Sequence, residues 1–126
     1  MPVYDLSVTP LREFNQALHD IKEGANDKAF EVVNPRGHHS VAVGIDASVS
    51  VDVKGSVGYY CAGMNDGGTV TVHGSAGPGV AENMMSGKVV IEGDASQYAG
   101  ASGRGGLHVI KGDAAARCGI SMKGID

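Results

Sequence analysis

Four short runs of the chain carry apolar residues at alternate positions, and each run closes on a glycine: Val49–Gly55, Gly68–Gly74, Gly87–Gly93 and Gly106–Gly112. The alternating residues are Val51/Val53, Val70/Val72 and Val89/Ile91, with Ile110 in the fourth run. A period of two predicts a strand with one buried face. The closing glycines Gly55, Gly74, Gly93 and Gly112 stand 19 residues apart, so the runs are copies of one unit. One such strand cannot bury its face alone, and 19 residues are too few for a hairpin plus a helix, so copies must stack with like positions over like. The predicted fold is all-β: a parallel, right-handed β-helix solenoid with 19-residue rungs, although the period itself does not dictate the hand. The glycines serve corners that need positive φ or close approach of backbone to backbone.

Stacking turns sequence spacing into columns. Six residues after each closing glycine stand Cys61, Val80, Ala99 and Cys118, an uncharged column assigned to the interior. Three rungs separate the two cysteines by roughly 14 Å. A disulfide needs less than about 7 Å, so both are expected to be reduced, buried and inert. The outward column between the inner valines reads Asp52, Thr71, Val90, Val109, and the column starting each run reads Ser50, Thr69, Lys88, Leu107. Polarity falls along the stack, which makes Val90, Leu107 and Val109 the candidate interface. At the corner after each glycine, Ser56, Ser75, Asp94 and Asp113 share a column whose side chains should accept from nearby backbone N–H groups.

Upstream of the repeat, residues 1–36 read as a lead-in and capping helix, with the β-helix over 37–126. Residues 1–8 are extended. Thr9 caps a helix with Pro10 at its first helical position, Leu11, Phe14, Leu18 and Ile21 form one apolar stripe, and Gly24 stops it. The stripe should cover the open start of the solenoid, where an unpaired rung would otherwise be exposed. Ala29–Val33 and Val41–Gly44 are predicted strands on either side of a turn at Asn34–Gly37. His38 and His39 cannot both ligate one ion from an extended segment, since alternate residues face opposite ways.

Composition restricts the function. The chain has 126 residues, enough for one domain, and its 42% apolar content supports a core, but six aromatics leave that core to Val, Ile, Ala and Met. Met64, Met84, Met85 and Met122 read as gap fillers. Net charge is −4 with both signs interspersed, which excludes the basic stripe of a nucleic-acid binder. No apolar run approaches membrane-spanning length. Reduced cysteines and the lack of a signal-peptide pattern point to the cytoplasm.

Candidate chemistry is sparse. Calcium-binding rolls need Gly-Gly-x-Gly-x-Asp, but Gly105-Gly106 is followed by Leu107-His108. Gly100–Gly106 leads into a strand rather than a helix N-terminus, so it does not form a phosphate loop. Glu82–Lys88 lacks the first glycine of a Walker A loop. His108 falls in an inner column where other copies carry valine, and a buried imidazole there calls for a hydrogen-bond partner. No catalytic, cofactor-binding or metal-binding residues are assigned, and the residues read as a scaffold.

The chain resembles the glycine-repeat (GXGXG) β-helix that forms the C-terminal domain of the glutamate synthase large subunit. The resemblance spans about residues 37–126. Gly55–Asn65, Gly79–Gly87 and Arg117–Gly124 are most similar to its stand-alone version, the middle subunit of N-methylglutamate synthase and glutamate-synthase-like complexes, as are Thr9–Glu13 and Val33–Gly37 in the lead-in. The resemblance implies a non-catalytic scaffold between a glutamine-amidotransferase-like subunit and an FMN and iron–sulfur subunit. The complex would make N-methylglutamate and ammonia from methylamine and glutamate. Similar repeats in one of the subunits of formylmethanofuran dehydrogenase, and in glutamate synthase itself, leave other oxidoreductases as alternatives. A β-helix acyltransferase is disfavoured because 19 is not a multiple of six, and a carbohydrate-active β-helix because its aromatic platforms are lacking. The family's solenoid runs several turns further, whereas this sequence stops at Gly124-Ile125-Asp126, so a fragment or a partner-capped last rung is expected.

Overall fold

The computed structural model describes residues 3–19, 28–46, 48–96 and 99–113. Among the described residues six strands, β1 (Val3–Asp5), β2 (Lys28–Val33), β3 (Val49–Lys54), β4 (Thr69–Val72), β5 (Lys88–Ile91) and β6 (Leu107–Ile110), form one sheet, and one helix, α1 (Leu11–His19), lies between the first two along the chain. Every neighbouring pair is parallel and the spatial order is the chain order, which defines a solenoid. Ser50 pairs with Thr69, Thr69 with Lys88 and Lys88 with Leu107, the 19-residue register read from the sequence. β1 and β2 are earlier rungs of the same sheet, so the extended lead-in contains a strand and the sheet begins well before residue 37.

The period-two pattern sorts the residues as physics requires. Val51, Val53, Val70, Val72, Val89 and Ile91 are buried, stacked in two inner columns, and Ile110 packs partly buried against them. Cys61, Val80 and Ala99 form the opposite wall at zero exposure. Burial pushes the Cys61 thiol up to about 12, because a thiolate has no solvation there. Cys118 and Met122 lie outside the described residues, as do Ile21 and Gly24.

In the closing glycine column, close approach decides the residue type. A Cβ at Gly74 would sit 2.6 Å from the Gly55 carbonyl carbon, and one at Gly93 would sit 2.6 Å from Ser75 Oγ. Gly112 is blocked in the same way by the Gly93 backbone, whereas Gly55, with φ 144°, is crowded by the Pro35 ring. Next to it the corner column forms a ladder. Ser75 N–H donates to Ser56 Oγ (3.0 Å), Asp94 N–H to Ser75 Oγ (3.1 Å) and Asp113 N–H to Asp94 Oδ1 (2.8 Å). That last donor offsets the repulsion of two stacked aspartates.

The predicted strand Val41–Gly44 is not formed. This arm, and its equivalents one and two rungs on, alternate left-handed residues: Ser40, Ala42 and Gly44, then Tyr60, Ala62 and Met64, then Gly79, Ala81 and Asn83. Alternation swings successive hydrogen bonds up and down the stack. Tyr60 N–H reaches Pro78 O above, Ala62 N–H reaches Val41 O below, and Met64 N–H reaches Glu82 O above. Helix α1 seals the first arm: the Asn15 side chain accepts from Ala42 N–H and donates to Ser40 O, both at 2.9 Å. For Ala42 it supplies the acceptor that Val41 supplies for Ala62 and Cys61 for Ala81. Phe14 and Leu18 are buried beneath it, with Phe14 against the Tyr4 ring at 5.1 Å.

Candidate interaction surface

The left-handed arms present a surface that periodicity did not announce. At the corner leading into residues 59–64, His39 Nδ1 accepts from Tyr59 N–H at 3.0 Å and its ring stacks on the Tyr59 ring at 3.8 Å. The next residue in that column is Pro78, which has no N–H to satisfy, so the ladder closes there without loss. Tyr59 is left 51% exposed. Tyr59, Tyr60, Pro78, Gly79 and Glu82 line a groove of about 330 Å³. Met64 and Met85, expected to fill gaps in the core, are instead 48% and 50% exposed; only Met84 among the three is buried. Both exposed methionines stand where the arm meets the sheet, their backbone N–H groups donating to Glu82 O and Asn65 O respectively. The adjacent pair Tyr59-Tyr60, a third of the six aromatics of the chain, was the sequence signal for this surface.

The outer face of the sheet is a second surface. Along it Asp52 Oδ1 lies 3.1 Å from His73 Nε2, His73 Nδ1 lies 3.9 Å from Glu92 Oε1, and Lys111 Nζ lies 2.9 Å from Glu92 Oε2. The groups are part exposed, so each pair contributes about 0–1 kcal/mol. Among the candidate interface residues, Leu107 is 38% exposed and Val109 is half-buried, but Val90 is only 9% exposed. Val90 points outward from the inner valines and is nonetheless covered, because a short side chain on a tight 19-residue register is shaded by its column neighbours Thr71 and Val109. It offers a partner little surface.

Two interior polar groups are notable. Asn65, fully buried, donates to Gly68 O (2.8 Å) and Ser86 O (3.1 Å), tying two rungs where the arm turns into β4. Its Oδ1 has no hydrogen-bond partner among the described residues. His108 occupies the inner column as read, but the partner expected for it is missing: Nε2 is buried without a hydrogen bond among the described residues. Desolvation lowers its pKa to about 4, so the ring is neutral near pH 7. His38 closes a turn by donating its N–H to Pro35 O (2.8 Å) and neither it nor His39 lies in a strand, and among the described residues no three His, Cys, Asp or Glu side chains gather as a metal site. No helix of the described residues is long and apolar enough to cross a membrane.

Sheet order, register and surfaces together define the class: a parallel β-solenoid with 19-residue rungs. Compared with known proteins, a stretch of 69 residues, 55% of the chain, is 82% identical to Protein GlxC of Rhizobium meliloti (strain 1021). That stretch covers 30% of GlxC, so the match spans less than a third of that relative's length. No family model and no solved structure matches the chain.

Proposed function

We propose that this chain is a non-catalytic β-helix scaffold subunit of a glutamate-synthase-type complex in the cytoplasm. Within that class we assign it to N-methylglutamate synthase, which converts methylamine and glutamate to N-methylglutamate and ammonia. Its partners would be a glutamine-amidotransferase-like subunit and a subunit holding FMN and an iron–sulfur cluster, while this chain holds neither. The observation that supports the reading is the uninterrupted parallel stack with 19-residue rungs, the kind of β-helix that the resemblance implies. A scaffold needs a rigid backbone and outward surfaces, and the exposed Tyr59, Met64 and Met85 supply the second.

A tagged full-length chain purified from the cells that make it tests this. The expected eluate is yellow, with flavin absorbance, contains both partner subunits, and forms N-methylglutamate from methylamine and glutamate. A colourless eluate without partners would refute the scaffold role. A flavin complex that ignores methylamine but uses glutamine and 2-oxoglutarate would refute the assigned amine and keep the class.

A further inference from the structure

The first coil of the stack is not a copy of the others. Val3 pairs with Glu31, 28 residues further on, where β3 to β6 pair at a spacing of 19, and α1 takes the place of a left-handed arm. In the later arms the backbone bonds back to the preceding coil through both kinds of group. Ala62 N–H donates to Val41 O and Ala81 N–H to Cys61 O, while Tyr59 O accepts from Ser40 N–H and Pro78 O from Tyr60 N–H. In the first arm the equivalent groups are Ala42 N–H and Ser40 O, and one carboxamide serves both: Ala42 N–H donates to Asn15 Oδ1 and Asn15 Nδ2 donates to Ser40 O, each at 2.9 Å. Asn15 thus stands in for the peptide groups of a missing arm. Phe14 and Leu18 anchor the same helix in the core, while Arg12, Glu13 and Gln16 are exposed on it. β1 ties this coil to the sheet, and Asp5 Oδ1 accepts from Asn34 Nδ2 at 3.0 Å.

We propose that this coil, residues 3–19, is a plug that keeps copies of the chain from stacking end to end. An uncovered first arm offers a donor at Ala42 and an acceptor at Ser40 in the alternation of the repeat, and the surface that matches them is another arm of the same repeat, which a second copy carries. Every strand pair is parallel, so a second copy adds in the same sense, the far end of its stack against the first arm of its neighbour. Such a contact is heterologous and does not close on itself, so it grows into an open filament. The plug stops this growth because a helix satisfies its own mid-chain backbone groups and turns charged side chains towards the next molecule. Nine residues are too few for a helix to persist unaided in water, so α1 is folded only while docked, and its docking contacts decide whether the arm is open. The proposal is independent of the complex to which the chain is assigned.

The test is sedimentation of the purified full-length chain over a wide range of concentration, with amide hydrogen exchange read at Ala42. The unaltered chain should keep one mass throughout. Ala17→Pro removes an N–H from the middle of α1 and clashes with the preceding turn, which releases the plug. Its mass should rise with concentration, filaments should appear by negative-stain electron microscopy, and the Ala42 amide should be protected in the filament yet exchange freely in the diluted chain. Asn15→Leu keeps the side-chain volume and both apolar anchors. It should speed Ala42 exchange about tenfold, as loss of one hydrogen bond does, and bring on association at concentrations where the unaltered chain shows none. Filaments of the unaltered chain, an Ala17→Pro chain that stays monomeric with β3 to β5 still protected, or association that leaves Ala42 exchanging freely would each overturn the plug. If Ala17→Pro does not fold, Asn15→Leu decides: a variant that sediments like the unaltered chain at every concentration overturns it.

Discussion

Replacing Gly74 with alanine separates two explanations of the glycine column by the sign of the effect. The φ of Gly74 lies outside the left-handed region, so alanine adopts the backbone without strain. Were glycine there only for flexibility, alanine would stabilise the fold by about 0.4–1 kcal/mol through the unfolded chain. The stack says otherwise. The new Cβ would lie 2.6 Å from Gly55 C, 2.7 Å from Gly55 O and 2.8 Å from Ser56 N, all backbone atoms of the rung beneath. Backbone cannot rotate away, so the rungs must part. Overpacking of this kind costs about 1–3 kcal/mol. Parting also strains the Ser75 N–H to Ser56 Oγ bond across the same two rungs (3.0 Å), worth about 1 kcal/mol. Net of the unfolded-state gain, Gly74→Ala should destabilise by about 1.5–3 kcal/mol, a fall in Tm of about 5–15 °C for a domain of this size. Circular dichroism melts and urea titrations read it. Gly37→Ala is the control: its φ is 73° and nothing lies within 4 Å of the added Cβ, so only conformational strain of about 1 kcal/mol should appear. An unchanged or raised Tm for Gly74→Ala would refute close approach as the reason for the column.

Truncating Phe14 to alanine should cost about 3–5 kcal/mol in urea titrations, because it is fully buried and holds α1 against Tyr4. Cys61 should resist thiol reagents at pH 8 in the native state and react at once in denaturant. Its raised pKa also means that the folded chain keeps a proton the unfolded chain loses, so its contribution to stability falls as pH rises from about 9 towards about 12. For His108 the dependence reverses: the unfolded ring takes a proton near pH 6.5 and the folded one only near pH 4, so stability should fall on acidification across that window. His108→Val, restoring the residue type of its column, should flatten that pH dependence and raise Tm. Asp94→Ser should leave Tm nearly unchanged, because a hydroxyl can still accept from Asp113 N–H, whereas Asp94→Ala should lose about 0.5–1.5 kcal/mol.

The period of 19 and the alternation of valines sufficed to place every strand from β3 to β6, their register, the inner columns and the Ser/Asp ladder. This worked because each is a nearest-neighbour property: in a stack, residue i meets residue i+19, and spacing alone says which side chains touch. The arms were not legible in that way. Val41–Gly44 has the apolar content of a strand, yet it folds as alternating left-handed residues, because its N–H groups must find acceptors alternately above and below in a coil turning a corner. Consequently Met64 and Met85 face outward rather than filling the core, and Tyr59 and Tyr60 come together with Pro78 and Glu82 at a groove. Val90 illustrates the converse: its outward direction followed from the pattern, but its shading by the neighbouring rungs depends on how tightly they stack. Spacing along the chain thus determined which residues share a column. Only the tertiary structure decided which way the irregular arms point, because φ there is set by hydrogen bonds to rungs on both sides rather than by local sequence preference.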